Sequence, residues 1–362
     1  MSPATTENYS DWIHPPLQHA WFLTGPTSSG KTPLAIAVAQ RLNAEIISLD
    51  SMAIYRGMDI GTAKPTPQQR QQVPHHMLDV VEPTESFSVS SYVLAAHQAA
   101  ADIRARGKRV LVCGGTPLYL KSLIRGLFLG PQADWEFRSG IEDYLAEHGG
   151  QALQTRLMQV DPLLAHKLHP HDHRRMIRAL EVAKVTGQPL SHWQRQFETP
   201  ASRSQFPVAV LRLDRAWLHQ RINQRVESML TRGLVEEVSS LIAQHGKLGR
   251  TAAQAVGYRE VLEHQRGEFT LAETIARIQA HTRQFARRQE IWFRGLSELQ
   301  PVSVTPDSDC EHLADQIADI FTTHAQPDTE PGTEPDAQSD SQLDAQTRGQ
   351  WPDTRDGRSD ES

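Results

Sequence analysis

The chain has 362 residues, 38% of them hydrophobic, two cysteines and a formal net charge of -6 at pH 7. That length supports a sizeable core of one or two domains, and no apolar run approaches the roughly 18 residues of a membrane span. Cys113 and Cys310 are far apart and neither has a C-x-x-C partner, which argues against a zinc cluster or a disulfide framework. The first residues lack a charged start followed by an apolar stretch, so the expected location is the cytoplasm.

The charge is unevenly spread. Residues 325–362 hold ten acidic and three basic residues, so the rest of the chain carries about +1. This tail is rich in Pro, Asp, Gln, Ser and Gly and predicts disorder. Residues 1–19 predict a flexible leader. The acidic total therefore does not exclude a nucleic-acid partner.

Residues 20–24 are an apolar run that predicts a buried strand. Gly25-Pro26-Thr27-Ser28-Ser29-Gly30-Lys31-Thr32 follows and fits G-x-x-x-x-G-K-[ST]. Residues 34–39 then predict a helix. That strand–loop–helix context belongs to a phosphate-binding loop. Backbone N–H groups and a helix N-terminus favour phosphate oxygens, Lys31 adds a charge, and the Thr32 hydroxyl suits Mg²⁺.

Residues 45–49 predict a second strand, ending at Asp50. Ligands in open parallel sheets bind at this edge. Asp50 is either a helix cap or Mg²⁺ partner, or a general base beside the phosphates. A helix near residues 90–106 leads to a third strand at 109–113, then Gly114-Gly115-Thr116. Taken alone this is a tight turn with Thr116 capping the next helix. At the same sheet edge it also permits close backbone approach to a ligand.

Residues 134–204 contain no convincing strand and predict a helical insertion, including a helix at 175–186 stopped by Gly187. Four histidines here (His166, His169, His171, His173) are irregularly spaced and lack cysteine or carboxylate partners, which disfavours a metal site. With Arg174, Arg175 and Arg178 they predict a basic surface. A late strand at 208–213 precedes helices that run to Arg294. Arg215, Arg221 and Arg225 lie around the first of these and either close over a phosphate or form surface ion pairs. Arg283, Arg287 and Arg294 share one helix face with Arg288 beside it. A solvated face is the commoner meaning of such a run. A second basic cluster, with Trp292, Phe293 and Tyr258, favours RNA phosphate contact and base stacking. A strand at 302–304 and a helix at 312–322 close the folded part. The fold class is α/β: a P-loop NTPase-like parallel sheet flanked by helices, with a helical insertion and a helical C-terminal part.

The segments 25–32, 47–65, 114–119, 175–181, 254–260 and 282–294 together resemble the tRNA dimethylallyltransferase (tRNA isopentenyltransferase) family, over about residues 20–322. The run Asp50-Ser51-Met52-Ala53-Ile54-Tyr55-Arg56-Gly57-Met58-Asp59-Ile60-Gly61-Thr62-Ala63-Lys64-Pro65 is its most specific part. The resemblance implies transfer of a dimethylallyl group from dimethylallyl diphosphate to N6 of adenosine 37 in tRNA. It implies Asp50 as the base, Thr116 near the diphosphate and adenosine, Lys31 and Arg221 on the diphosphate, and Mg²⁺ as cofactor. It maps tRNA contacts onto Asp50, Ser51, Met52, Ala53, Thr116, Arg138, Arg174, Arg175, Met176, Ile177, Arg178, Gln254, Ala255, Val256, Gly257, Tyr258, Arg259, Arg287, Arg288 and Arg294. Residues 20–133 and 205–324 would then be the catalytic core with C-terminal tRNA-binding helices, and 134–204 would help grip the anticodon stem-loop. The family also implies a monomer with no membrane partner. Departures are Pro33 after the loop, His173 before the arginine-rich helix, and Glu290 within the basic helix. Rival readings are a P-loop small-molecule kinase, an enzyme prenylating free adenine nucleotides, and an RNA-binding protein with a degenerate P-loop.

Overall fold

The apolar runs pair into a six-stranded sheet. Its strands are β1 (Ala20–Thr24), β2 (Ala44–Leu49), β3 (His75–His76), β4 (Arg109–Gly114), β5 (Val208–Leu213) and β6 (Leu299–Val304). They lie in the order β3-β2-β4-β1-β5-β6, every pair parallel. The computed structural model describes residues 13–203 and 205–323, so the acidic tail lies outside the described residues.

The helices used below are α1 (Lys31–Arg41), α2 (Val89–Ala105), α3 (Pro117–Arg125), α4 (Trp135–Val160), α5 (His173–Thr186), α6 (Arg215–Thr231), α7 (Leu234–His245), α8 (Leu271–Arg294) and α9 (Cys310–Thr323). A parallel sheet must be covered on both faces. Strand side chains alternate between those faces, so Phe22 packs with Tyr92, Val93, Leu120 and Leu123 of α2 and α3. Trp21 and Leu23 point the other way, toward Leu34 and Val38 of α1 and Ile317 and Phe321 of α9. Trp21 and Phe321 stack with ring centroids 5.8 Å apart.

Register then sets up the site. Thr24 of β1 and Leu49 of β2 both lie opposite Gly114 of β4. The P-loop, Asp50 and the Gly115–Thr116 turn therefore leave the sheet at one edge, the expected ligand edge of such a fold.

Three features differ from the sequence reading. Residues 13–19 are not a loose leader: Ile13–His14 pairs antiparallel with Leu127–Phe128, and Leu17 is buried in the core. Residues 1–12 lie outside the described residues. Strand β6 begins at Leu299, ahead of the expected 302, because Pro301 sits on an edge strand, where a missing N–H is tolerated. The two-residue edge strand β3 is too short to announce itself in sequence.

The insertion builds its own apolar core from Ile141, Leu153 and Leu157 of α4 and Met176, Ile177 and Leu180 of α5. Helix α4 is broken at Gly149, whose φ of 80° suits a glycine. A further core joins Ile54, Tyr55 and Met58 to Val238 and Leu241 of α7 and to Tyr258. That core fixes the segment running from Asp50 to Pro65. Among the described residues no helix is long and apolar enough to cross a membrane.

Candidate active site

The P-loop turns on Gly30, which holds φ at 92° directly before α1. This left-handed geometry suits glycine and turns the helix N-terminus toward the loop. Pro33 lies in the first helical turn, where its missing N–H costs nothing. The Ser28 hydroxyl is buried without a hydrogen-bond partner among the described residues, a polar group suited to a phosphate oxygen. Lys31 Nζ donates to the carbonyls of Gly25 (2.9 Å) and Pro26 (2.6 Å). Burial pulls the Lys31 pKa down to about 8, with Arg225 adding to the fall and Cys113 and Asp50 opposing it. Burial likewise pushes the neighbouring Cys113 thiol up to about 12.

Asp50 Oδ1 accepts from the N–H groups of Met52 (2.7 Å) and Ala53 (3.2 Å). No helix directly follows Asp50, so these bonds close a turn rather than cap a helix, and they orient the carboxyl group. Oδ2 has no partner among the described residues. Thr116 occupies the N-cap position of α3, but its hydroxyl does not cap that helix. It accepts instead from the Ser51 N–H at 3.2 Å, tying the turn after β4 to the turn after β2. The close approach explains Gly114, where a Cβ would overlap the Leu49 carbonyl.

Arg221 Nε donates to the Ser28 carbonyl at 2.8 Å, so α6 reaches the P-loop. Arg225, one turn on, is enclosed. Burial lowers its pKa and the Asp50 charge opposes that shift. Arg215 is exposed at the start of α6. Of the three arginines considered, Arg221 and Arg225 line the cleft with the P-loop and Arg215 does not.

Two adjoining cavities meet here. One, of about 640 Å³, contains the P-loop, Lys31, Arg221 and Cys113. The other, of about 350 Å³, is bounded by Met52, Thr116, Gln254, Val256, Tyr258 and Arg288. Thr27, Asp50, Thr62, Arg225 and Phe285 line both. Asp50 thus stands on the boundary between a phosphate-binding chamber and a chamber edged by the C-terminal helices.

Several residues expected at RNA are placed otherwise. Met176 and Ile177 are core residues of the insertion, because the inward stripe of α5 passes through them. Ala53 and Ala255 are also buried. Tyr258 is fully buried, with its hydroxyl on Glu237 at 2.5 Å, and Phe293 is buried too. Neither ring is a stacking platform; of the three aromatics considered, only Trp292 is exposed. Arg138 pairs with the buried Glu181 through two bonds (2.8 and 2.7 Å), and Arg178 joins them at 2.6 Å. Arg259 is engaged by Glu260 at 2.6 Å. Arg174, Arg175, Arg287, Arg288 and Arg294 remain exposed. Glu290 is only partly exposed, in the turn between Arg287 and Arg294.

Two residues passed over in the sequence matter structurally. Glu237 on α7 accepts from the N–H groups of Asp59 (3.0 Å), Ile60 (2.7 Å) and Gly61 (3.2 Å). Gln289 on α8 touches both the P-loop and the Gly115 turn. A lone Glu or Gln in a polar helix carries no local signal.

A sequence model described as IPP transferase matches residues 53–296. A protein of Rhodopirellula baltica named tRNA dimethylallyltransferase is 50% identical over 77% of this chain and 86% of its own length. A protein of the same name from Geobacter metallireducens is 43% identical over 76% and 89%. Among solved structures, a tRNA isopentenylpyrophosphate transferase of Bacillus halodurans aligns with a TM-score of 0.61 and 35% identity, covering 85% of this chain and 98% of its own. A eukaryotic dimethylallyltransferase described as acting on tRNA aligns with a TM-score of 0.69 and 28% identity, covering 84% and 78%. The family match spans most of the chain and the relatives are covered over most of their own lengths, and the chain belongs to the IPP transferase family.

Proposed function

We propose that the protein transfers the dimethylallyl group of dimethylallyl diphosphate to N6 of adenosine 37 in the tRNA anticodon loop, acting as a monomer in the cytoplasm. The observation that carries this reading is Asp50 on the shared wall of the two cavities. The donor diphosphate occupies the P-loop side. The target adenine, extruded from its loop, enters on the side of Thr116 and Gln254.

In the reaction the N6 lone pair forms a bond to the allylic carbon as the carbon–oxygen bond to diphosphate breaks. Adenine N6 is a weak nucleophile because its lone pair is conjugated with the ring. Asp50 Oδ2 takes the N6 proton as attack proceeds. Lys31, the loop amides and Arg221 receive the negative charge that grows on the leaving diphosphate. The Thr32 hydroxyl in the first turn of α1 is an oxygen donor of the kind that suits Mg²⁺, and would hold the ion together with diphosphate oxygens. When bound, that ion would supply further neutralisation of diphosphate charge.

Lys31 sets an alkaline limit. Diphosphate needs the charged ammonium, and in the free protein burial brings the Lys31 pKa down to about 8, so the charge is progressively lost above that pH. As pH rises through that value, kcat/KM for the donor should fall, approaching about tenfold per pH unit. A pH profile at limiting donor checks this; a flat alkaline limb would remove Lys31 charge from donor binding.

Exposed Arg287 and Arg288 act on RNA phosphates in this reading. Changing both to alanine should weaken tRNA binding and lower the slope of log affinity against log salt by about 1–2. Titrations at several salt concentrations test it, and an unchanged slope would contradict phosphate contact.

The activity itself is tested by offering labelled dimethylallyl diphosphate with Mg²⁺ and either unmodified tRNA or free adenosine monophosphate. Label should enter only the tRNA. Label in the mononucleotide would favour a nucleotide prenyltransferase, and consumption of added ATP with transfer of its phosphate would favour a kinase.

A further inference from the structure

Helix α8 presents two different faces. Arg287, Arg288 and Arg294 are exposed, whereas Ala286, Gln289 and Phe293 are buried. Gln289 is 3% exposed and uses both ends of its amide. Its Oε1 accepts from the Thr27 N–H of the P-loop at 2.9 Å. Its Nε2 donates to the Gly115 carbonyl at 2.6 Å. A Cβ at Gly115 would sit 2.6 Å from that nitrogen, so the glycine leaves room for the amide in its present position. Gly115 directly precedes Thr116, and Arg288 directly precedes Gln289. One side chain therefore ties the diphosphate loop, the Thr116 turn and the arginine-bearing helix together.

We propose that Gln289 is a positioning residue through which engagement of RNA by α8 tightens the diphosphate loop. This rests on the transferase reading, because it needs both ligands. A helix moves as a rigid element, so a shift that seats Arg287 and Arg288 on phosphates is delivered one residue away to Thr27 and Gly115. A glutamine amide supplies both the acceptor and the donor at the tip of one side chain. The coupling is reciprocal: RNA that favours the ordered loop binds better when diphosphate is present.

The test measures the affinity of inorganic diphosphate with Mg²⁺ by calorimetry, with and without saturating unmodified anticodon stem-loop. In the wild type the stem-loop should tighten diphosphate by about fivefold or more. In Gln289→Met and in Gln289→Asn, which is too short to span both partners, that ratio should fall to about one. Stem-loop affinity without diphosphate should stay near wild type, and Tm should fall by only the several degrees that two lost buried hydrogen bonds explain; this separates coupling from general damage, and at least one variant is expected to fold. Variants that keep the wild-type ratio would overturn the proposal. A wild type that binds both ligands independently would overturn it while leaving the transferase reading intact. A wild type that binds neither would overturn both.

Discussion

Asp50→Asn should slow prenyl transfer by about 10²–10⁴-fold, the range contributed by a positioned general base, and should change tRNA affinity by no more than about twofold. Asparagine is the informative replacement because the proposed mechanism gives Asp50 a second job beside its place in the turn. Its Oδ1 accepts from the Met52 and Ala53 N–H groups, and the amide oxygen of asparagine can keep both bonds. What asparagine cannot do is take a proton from adenine N6. Asp50→Ala would remove the base and the turn together, and a loss there would not separate chemistry from loop order. Single-turnover rates with saturating donor, beside direct tRNA binding, make the measurement. Wild-type chemistry in Asp50→Asn would show that the carboxylate only shapes the turn.

Lys31→Met should reduce kcat/KM for dimethylallyl diphosphate by about 10²–10³-fold, as expected when a preorganised charge is taken from a leaving anion. The ammonium lies among the loop carbonyls and beside Cys113, so methionine fills similar space without the charge. The loss should appear in kcat as well as in donor KM, because charge on diphosphate grows as the bond breaks. A loss in KM alone would make Lys31 a ground-state anchor. Arg221→Ala should act in the same direction more weakly, since Arg221 also braces the Ser28 carbonyl and stacks on Trp217 at 5.1 Å.

The phosphate loop was legible because its information is local. A strand, eight residues and a helix in sequence are also neighbours in space. Asp50 was legible for the same reason, as the residue that ends a strand. What escaped was long-range. Tyr258 lies in a segment that resembles an RNA contact, yet its ring lies against Gly61, where a Cβ would be 2.7 Å from its Cζ. Met176 and Ile177 sit among arginines, and only the packing of α4 on α5 tells which side of the helix faces inward. Arg138 reads as a free cation until Glu181, on another helix, is placed beside it. Gln289 gives no signal, because its role depends on two loops more than 170 residues away in sequence. In each case a partner distant in the chain decides the side chain's use.

The central claim is that one carboxylate joins a diphosphate chamber to an adenine chamber. It is tested most directly by incubating the protein, Mg²⁺, dimethylallyl diphosphate and an unmodified anticodon stem-loop, then digesting the RNA and locating the modified nucleoside by mass spectrometry. The account predicts one dimethylallyl group on N6 of adenosine 37, with one diphosphate released per group transferred, and no product with Asp50→Asn on the same timescale. Dimethylallyl diphosphate left intact while the stem-loop stays unmodified, or product formed equally by Asp50→Asn, would contradict it.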